Sequence, residues 1–229
     1  MNEHIVVVTG AAPLPPDISK LIPASAIVLG VDGGLDHALA AGLRPSGLIG
    51  DLDSVSADGL AWAREHATIS EHSPDKDLTD TELALSFAAD MRPERITLVG
   101  GGNRLDHTLA AIGALSAPAL TGVPIVDGWW DGQHLDVVHG PGRRRLHLEV
   151  GSTMSVLALG APGEKVGLTG VRWPLDQAQV PSVSGLGVSN EVVDPDGVVD
   201  VTISSGVLTI LDRPRRDVPA PSLTNGTPT

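Results

Sequence analysis

The segment Gly47-Leu48-Ile49-Gly50-Asp51-Leu52-Asp53-Ser54 joins a short apolar run to an acidic loop. The run Gly47–Gly50 predicts a buried strand, because it is continuously apolar and ends at turn-forming residues. Comparable runs occur at His4–Val8, Ala26–Val31, Ala67–Ser70 and Arg95–Val99. Strands of this kind are typical of a parallel sheet that is covered on both faces.

Helical patterns separate these runs. They lie at Asp17–Leu21, Leu35–Ala41, Ala57–His66, Asp80–Met91 and Leu105–Leu115. The alternation predicts an α/β fold, with a Rossmann-like parallel-sheet domain over residues 1–120.

The pattern changes after Pro118, where Gly and Pro residues separate β-like runs. These are Pro124–Val126, Leu135–Val138, Arg145–Val150, Met154–Leu159, Val198–Ser204 and Val207–Leu211, with a turn at Asp194–Gly197. We expect a mostly antiparallel β-sandwich domain over residues 121–212. Residues 213–229 are rich in Pro, Arg and Thr and are predicted to form a disordered tail.

Composition excludes several classes of protein. The 229 residues carry a formal net charge of −13, which argues against a nucleic-acid-binding surface. The chain has no cysteine and therefore no disulfide or thiolate metal site. The apolar runs are too short to span a membrane and no basic leader is evident, so we expect a cytoplasmic protein without a membrane partner.

Polar loops follow four of the predicted parallel strands. They contain Asp32-Gly33-Gly34, the pair Asp51 and Asp53, the segment Asp75–Asp80, and Gly100–Gly102 with Arg104. Ligands of open parallel sheets bind where the strands end at their carboxyl side. The four loops are therefore expected to converge on one crevice.

Carboxylates in these loops suggest a magnesium site. Asp51 and Asp53, two residues apart, can bind one hard cation, although Asp53-Ser54 could instead turn the chain and cap the next helix. Thr79 and Glu82 form a capping-box pattern at a helix start. The box leaves the like charges of Asp75, Asp77 and Asp80 unexplained, because such a cluster needs a cation, either Lys76 or a metal.

The glycines and the arginine point to phosphate binding. Gly33-Gly34 and Gly100–Gly102 allow backbone N–H groups to approach phosphate oxygens, and Arg104 stands at a predicted helix start that disfavours a cation unless an anion binds. No Gly-Lys pair and no Gly-x-Gly-x-x-Gly motif occurs, which excludes a P-loop and an ordinary dinucleotide site. The residues thus favour an enzyme of phosphoryl or diphosphoryl transfer.

Three other positions have two readings. His107 beside Asp106 is either a proton shuttle or a local hydrogen-bonding residue. Trp129-Trp130 forms either an exposed turn or an interface patch. Trp173, before Pro174, is either a stacking platform for a flat cationic ligand or a core residue.

Taken in order, these motifs resemble the thiamine pyrophosphokinase family. The similar segments are Asp32–Gly34, Gly50–Ser54, Asp75–Asp80, Gly101–His107, Val171–Leu175 and Gly187–Glu191. The likeness extends from about Ile5 to Leu211, and the combination is specific although each motif is short.

The resemblance implies an enzyme that converts ATP and thiamine to AMP and thiamine diphosphate. It implies magnesium as cofactor and a homodimer with active sites at the subunit junction. Asp51, Asp53 and Asp80 would hold the metal, and Asp80, Arg104 and Asp106 would be catalytic. Substrate or nucleotide contacts would come from Asp32, Gly33, Gly34, Asp75, Lys76, Asp77, Thr79, Gly101, Gly102, His107, Trp173, Ser189 and Asn190. Trp173 of the partner subunit would stack on thiamine, with Ser189 and Asn190 near its pyrimidine.

This sequence departs from the family pattern at two positions. Asp36 stands where the family commonly has Asn, and a carboxylate cannot donate the hydrogen bonds of an amide. Leu186 stands where a basic residue is frequent. The alternatives are a magnesium-dependent nucleotide hydrolase, a pyrophosphokinase with another acceptor, and a regulator that binds nucleotide or thiamine without turnover.

Overall fold

The computed structural model describes residues 3–15, 17–102 and 104–212. Within them the chain divides into two compact units that meet between Val137 and Val138. The predicted fold class, a parallel-sheet domain followed by a mostly antiparallel β-sandwich, is confirmed. The predicted disordered tail, residues 213–229, lies outside the described residues.

The first unit consists of a sheet and five α-helices among the described residues. Its strands are β1 His4–Val8, β2 Ile27–Val31, β3 Gly47–Gly50, β4 Thr68–Glu71, β5 Arg95–Gly100, β6 Ile125–Trp130 and β7 Gln133–His139, of which the last two residues lie beyond the boundary. Its helices are α1 Ile18–Leu21, α2 Gly34–Ala40, α3 Ala57–His66, α4 Asp80–Asp90 and α5 Leu105–Ala114, and a 3₁₀ turn covers Pro118–Leu120.

The strand order in this sheet is β4-β3-β2-β1-β5-β6-β7. Neighbouring strands from β4 to β6 are parallel, and β7 is antiparallel to β6. The chain moves outward from β1 to β4 and then returns to the other side of β1 as β5. The reversal between β1 and β5 is the switch point beside which ligands of this architecture bind.

The central strands are buried on both faces, as their apolar sequences require. Ile5, Val6, Val7 and Val8 of β1 are 0% exposed. Small residues allow helix α2 to pack closely on this strand: a Cβ on Gly34 would lie 2.1 Å from the carbonyl oxygen of Val8. The carboxyl ends of β1 and β2 therefore lie against the first turn of α2.

The boundary of the first unit lies further along the chain than residue 120 because of β6. The expected short run Pro124–Val126 is a six-residue strand that continues to Trp130 and pairs in parallel with β5. Trp130 is 5% exposed and Trp129 is half-buried, so the two tryptophans form neither an exposed turn nor a surface patch within this unit. The turn comes one residue later, at Asp131-Gly132.

The second unit contains two antiparallel sheets. Its strands are β8 Gly142–His147, β9 Thr153–Leu157, β10 Gly163–Thr169, β11 Leu175–Val180, β12 Gly187–Glu191, β13 Val198–Ile203 and β14 Val207–Asp212. One sheet has the order β11-β10-β13-β8, and the other contains β12-β9-β14. Alternate apolar residues of both sheets, such as Val166, Val201, Val156 and Ile210, form the core between them.

Three of these strands have no counterpart in the sequence prediction: β10, β11 and β12. Their sequences, GEKVGLT, LDQAQV and GVSNE, are too polar or too rich in glycine for the expected alternation. The predicted turn at Asp194–Gly197 is present: the carboxylate of Asp194 accepts hydrogen bonds from the N–H groups of Asp196 and Val198. Among the described residues, no helix is long and apolar enough to cross a bilayer.

Candidate active site

Three carboxylates from separate loops lie together at the carboxyl edge of the parallel sheet. Asp32 follows β2, Asp51 follows β3, and Asp80 is the first residue of α4. One carboxylate oxygen of each lies within 4.8 Å of the others, and all three residues are partly buried. This cluster, the aspartate trio, brings together the loops that the sequence predicted to converge.

The trio concentrates negative charge where solvent cannot fully screen it. Burial and the nearby carboxylates of Asp80, Asp51 and Asp53 raise the pKa of Asp32 to about 6, although the N–H of Leu52 donates to Asp32 Oδ1 and opposes the rise. Lys76 Nζ lies 2.8 Å from Asp80 Oδ1 and donates to it, which raises the pKa of Lys76. One ammonium therefore faces three carboxylates.

Asp53, which was expected to bind the metal, is not part of the trio. Its side chain is exposed, and its N–H donates to Asp51 Oδ1 at 3.2 Å. Asp32, expected to contact nucleotide, occupies the third position instead. The sequence contains a signal for this arrangement, because Asp32 and Asp51 each directly follow a strand of the same sheet edge.

Glycine and backbone geometry explain how Asp32 reaches the trio. Asp32 has a φ of 47° and Gly50 a φ of 146°, and a Cβ on Gly50 would lie 1.7 Å from Asp32 Oδ1. Only glycine at position 50 leaves room for the carboxylate and adopts this backbone conformation without strain.

The loop after β3 is bonded to the turn after β2 at three points. The N–H of Leu52 donates to Asp32, the N–H of Gly33 donates to Ser54 Oγ at 3.1 Å, and Ser56 donates from both N and Oγ to Asp36 at 2.8 and 2.5 Å. Asp36 therefore accepts two bonds that fix the cap residue of α3. A carboxylate at position 36 suits this arrangement, because the two bonds from Ser56 need acceptor oxygens and not the donors of an amide.

The last residue of β5 and the two that follow it, Gly100–Gly102, are the second part of the site, and we call them the glycine loop. A Cβ on Gly100 would lie 2.2 Å from Thr9 Oγ1 and one on Gly102 would lie 3.1 Å from Ala11 Cβ. Gly10, between these two contacts, packs on Gly33 and Gly34. The segment after β1 thus touches both the loop after β2 and the glycine loop, at the switch point.

Asp131, which the sequence analysis did not single out, holds the glycine loop from the β6–β7 turn. Its Oδ1 accepts a hydrogen bond from the N–H of Gly102 at 3.0 Å. The signal available in the sequence was the Asp-Gly pair, which is typical of a two-residue hairpin turn.

Arg104 and Asp106 are paired with each other on the surface. Arg104 Nη2 lies 2.6 Å from Asp106 Oδ2, Nε donates to Oδ1 at 3.3 Å, and both side chains are 64% exposed. Asp106 raises the pKa of Arg104, and Arg104 lowers that of Asp106. His107 beside them is exposed. Asp106 relieves the unfavourable placement of a cation at the start of α5.

The segment before α4 divides into a cap and an exposed acidic stretch. Thr79 Oγ1 accepts from the N–H of Glu82, and Glu82 Oε2 accepts from the N–H of Thr79, so the predicted capping box is present. Asp75 and Asp77 are exposed and lie outside the trio. Capping fixes the first turn of α4 and with it Asp80.

In the β-sandwich unit, Trp173 is 57% exposed, so it is not a core residue. Asn190 holds its backbone: Oδ1 accepts from the N–H of Trp173 at 3.0 Å and Nδ2 donates to its carbonyl at 2.7 Å. The guanidinium of Arg172 lies 5.3 Å from the ring centroid of Trp173 and forms an ion pair with Glu191 at 2.9 Å. The indole is thus an exposed flat surface on a fixed backbone.

The other predicted residues of this unit differ in exposure. Asn190 is 4% exposed, whereas Ser189 is exposed, has a φ of 61° and donates its N–H to Ser155 Oγ. Leu186 is 53% exposed and extends an apolar surface with Val188, which is 46% exposed.

Two family models match the chain. The model described as thiamin pyrophosphokinase, catalytic domain, matches residues 18–126, and the model described as thiamin pyrophosphokinase, vitamin B1 binding domain, matches residues 143–208. The first range contains the aspartate trio and the glycine loop. The second contains Trp173 and Asn190.

The chain is also similar to individual proteins and solved structures. The thiamine pyrophosphokinase of Bacillus subtilis (strain 168) is 27% identical over 209 residues, which are 90% of this chain and 96% of the relative. The crystal structure of thiamin pyrophosphokinase from Geobacillus thermodenitrificans has a TM-score of 0.74 at 26% identity and covers 93% of this chain and 99% of its own. The Bacillus subtilis crystal structure has a TM-score of 0.76 at 24% identity, with 93% and 99% covered.

Proposed function

Because the chain belongs to the thiamine pyrophosphokinase family, we propose that it transfers the diphosphoryl group of ATP to the hydroxyl group of thiamine. The products are thiamine diphosphate and AMP. The observation that carries the proposal is the aspartate trio at the carboxyl edge of a parallel sheet, inside the matched catalytic domain.

We propose that the trio binds Mg²⁺. Three carboxylates, each with an oxygen within 4.8 Å of the others, match the oxygen ligands that this ion prefers. Burial, together with the carboxylates of Asp80, Asp51 and Asp53, raises the pKa of Asp32, and a divalent cation bound at the trio would favour its charged form. When bound, the ion supplies charge neutralisation for the polyphosphate. Asp53 is proposed to hold Asp51 in place through its backbone N–H.

The phosphates of ATP are proposed to bind between the trio and the glycine loop. Backbone N–H groups of glycines approach anions closely, and Lys76 places an ammonium beside Asp80. Arg104 engages Asp106 through Nε and Nη2, so its Nη1 donors stay available to a phosphate. Gly33, Gly34 and Thr79 keep the adjacent turns in place.

Thiamine is proposed to bind at Trp173 of the β-sandwich unit. Its indole is exposed on a backbone held by Asn190, which suits stacking with a flat ring. Exposed Ser189 is proposed to hydrogen-bond the pyrimidine. Asn190, buried and occupied by the Trp173 peptide groups, is proposed to act by placing Trp173.

We further propose a homodimer with active sites at the subunit junction. Leu105 and Leu109 of α5 are 70% and 63% exposed, which is unusual for leucines beside a polar site. A second copy of the chain is the occupant we propose for this surface. Sedimentation of the protein and of a Leu105→Glu variant tests it, because a dimer closed through this surface should dissociate in the variant.

In the proposed reaction the thiamine hydroxyl oxygen forms a bond to the β-phosphorus of ATP. The bond from that phosphorus to the oxygen bridging the α- and β-phosphates breaks, and AMP leaves with this oxygen. The hydroxyl proton passes to a carboxylate, for which Asp80 is the candidate, or to water. The protein contributes mainly by positioning and by neutralising charge.

The test is incubation with ATP, magnesium and thiamine, followed by chromatography of nucleotides and thiamine esters. We expect AMP and thiamine diphosphate in equal amounts, and neither of them without thiamine or magnesium. AMP or ADP without thiamine diphosphate would indicate a hydrolase or another acceptor. Thiamine binding without any product would indicate a regulator.

A further inference from the structure

The turn between β6 and β7 places one carboxylate on the glycine loop. Trp130 pairs with Gln133, so Asp131 and Gly132 form a two-residue hairpin turn, with φ values of 50° and 78°. These positive values are those of a type I′ turn, for which Asp-Gly is a favoured sequence. The turn explains the backbone at position 131 but does not require the direction in which its side chain points.

Asp131 contacts all three glycines of the loop. Its N–H donates to the carbonyl of Gly100 at 3.1 Å, and its Oδ1 accepts from the N–H of Gly102 at 3.0 Å. The same Oδ1 lies so close to Gly101 that a Cβ there would be 2.1 Å away. One carboxylate oxygen of Asp131 therefore lies against the loop.

The opposite side of the loop is also in close contact. Gly100 is packed between Thr9 Oγ1 and the ring of Trp130, with ideal Cβ distances of 2.2 and 2.7 Å. Gly102 packs on Ala11 and has a φ of 139°, a conformation that is strained for other residues and costly for glycine to keep ordered. Within the part of the chain that the structure describes, the N–H of Gly102 is held by its hydrogen bond to the Asp131 side chain.

From this geometry we propose that Asp131 is a positioning residue for ATP: its carboxylate acts as a clamp that holds the glycine loop in the conformation that receives the phosphates. The inference rests on the proposed function. The carboxylate does not touch substrate in this role, and its negative charge is not the property used. What it supplies is one acceptor in a fixed place, which preorganises the loop and lowers the entropy cost of binding.

Two substitutions separate the acceptor from the turn. Asp131→Asn keeps an acceptor oxygen and a residue that tolerates positive φ, whereas Asp131→Gly keeps the turn and removes the acceptor. We expect Asp131→Gly to raise KM for ATP about tenfold, because the loss of roughly one hydrogen bond corresponds to such a change in affinity. KM for thiamine should be unchanged. Asp131→Asn should stay within about twofold of the parent protein.

Hydrogen exchange of the ligand-free protein provides a readout that does not depend on turnover. Exchange of the backbone amides at 100–102 should be faster in Asp131→Gly and unchanged in Asp131→Asn. An equal rise in KM for ATP in both variants would overturn the proposal, because the charge of the carboxylate would then matter. Unchanged loop exchange in Asp131→Gly, or faster exchange with an unchanged KM for ATP, would also overturn it.

Failure of the proposed reaction is distinguishable from failure of the clamp. If the parent protein forms no thiamine diphosphate, binding of a non-hydrolysable ATP analogue replaces KM in the same comparison. A roughly tenfold loss of affinity in Asp131→Gly alone would support the clamp in a protein of different activity. Equal affinity in the parent protein and Asp131→Gly would overturn it.

Discussion

Lys76 Nζ lies 2.8 Å from Asp80 Oδ1, and the two side chains are 17% and 18% exposed. Lys76 lies in the loop before α4, four residues before Asp80, which is the first residue of that helix. It supplies one cation to a cluster of three carboxylates, so its effect should depend on whether a metal is present.

We predict that Lys76→Met lowers the metal-free free energy of unfolding by about 2 kcal/mol, since it leaves a mostly buried carboxylate unpaired. Magnesium should raise the melting temperature more in this variant than in the parent protein. Thermal unfolding with EDTA and with magnesium measures both effects. Lys20→Met is the matched control, because Lys20 and Asp17 form a pair that is 76% and 78% exposed. Similar behaviour of the two variants would contradict the prediction.

Within the acidic loops, Asp32 and Asp51 belong to the aspartate trio and Asp53 does not. Asp32→Asn and Asp51→Asn should each slow turnover by about two orders of magnitude or more, because the trio loses a charged ligand. Asp53→Asn should retain activity within about tenfold, since its described contact to Asp51 is made by the backbone. Steady-state rates over a magnesium titration, with circular dichroism as the folding control, decide this. A loss in Asp53→Asn as deep as in Asp51→Asn would restore Asp53 as a ligand.

Asn190→Asp should weaken thiamine binding through Trp173. The substitution keeps the acceptor at Oδ1 but replaces the Nδ2 donor, 2.7 Å from the Trp173 carbonyl, with an oxygen. We expect KM for thiamine to rise about tenfold and stability to fall by about 1–3 kcal/mol, with KM for ATP unchanged. Initial rates with each substrate varied in turn give the comparison. An unchanged KM for thiamine in a folded variant would exclude the positioning role.

Asp127 on β6 should make the first unit acid-sensitive. It is 1% exposed; burial disfavours its charge, but His134 and Arg95 outweigh this and hold its pKa well below the usual range. Thr97 Oγ1 also donates to Asp127 Oδ1 at 2.5 Å. A lowered folded-state pKa contributes stability above the unfolded value of about 4, and this contribution is lost as pH falls below it.

Asp127→Asn should therefore lower the free energy of unfolding by about 3 kcal/mol at pH 7. The difference in unfolding free energy between this variant and the parent protein should narrow as pH falls below about 4. Denaturant unfolding between pH 7 and pH 3 measures this gap. Asp176→Asn, at an exposed position of β11, should show no such trend. A gap that stays constant with pH would show that the carboxylate charge does not contribute.

Much of the first unit follows from the sequence alone. The runs at His4–Val8 and Gly47–Gly50 have their predicted bounds, and so does the helix Ala57–His66. Strands that are apolar on both faces can only lie inside a covered sheet, and parallel pairing places every following loop at one edge. The capping box at Thr79 is equally local, because its two hydrogen bonds lie within four residues.

The tertiary structure decided which side chains of those loops meet. Asp32 joins Asp51 because Gly50 leaves space for its carboxylate, and Asp53 turns away although it is two residues from Asp51. Asp131 reaches the glycine loop from a hairpin about thirty residues further along the chain, and no periodicity in the sequence predicts this contact. Periodicity indicates which face of a helix or strand is buried. The direction of a loop side chain depends instead on the atoms that lie across the sheet edge, and only the folded chain brings those atoms together.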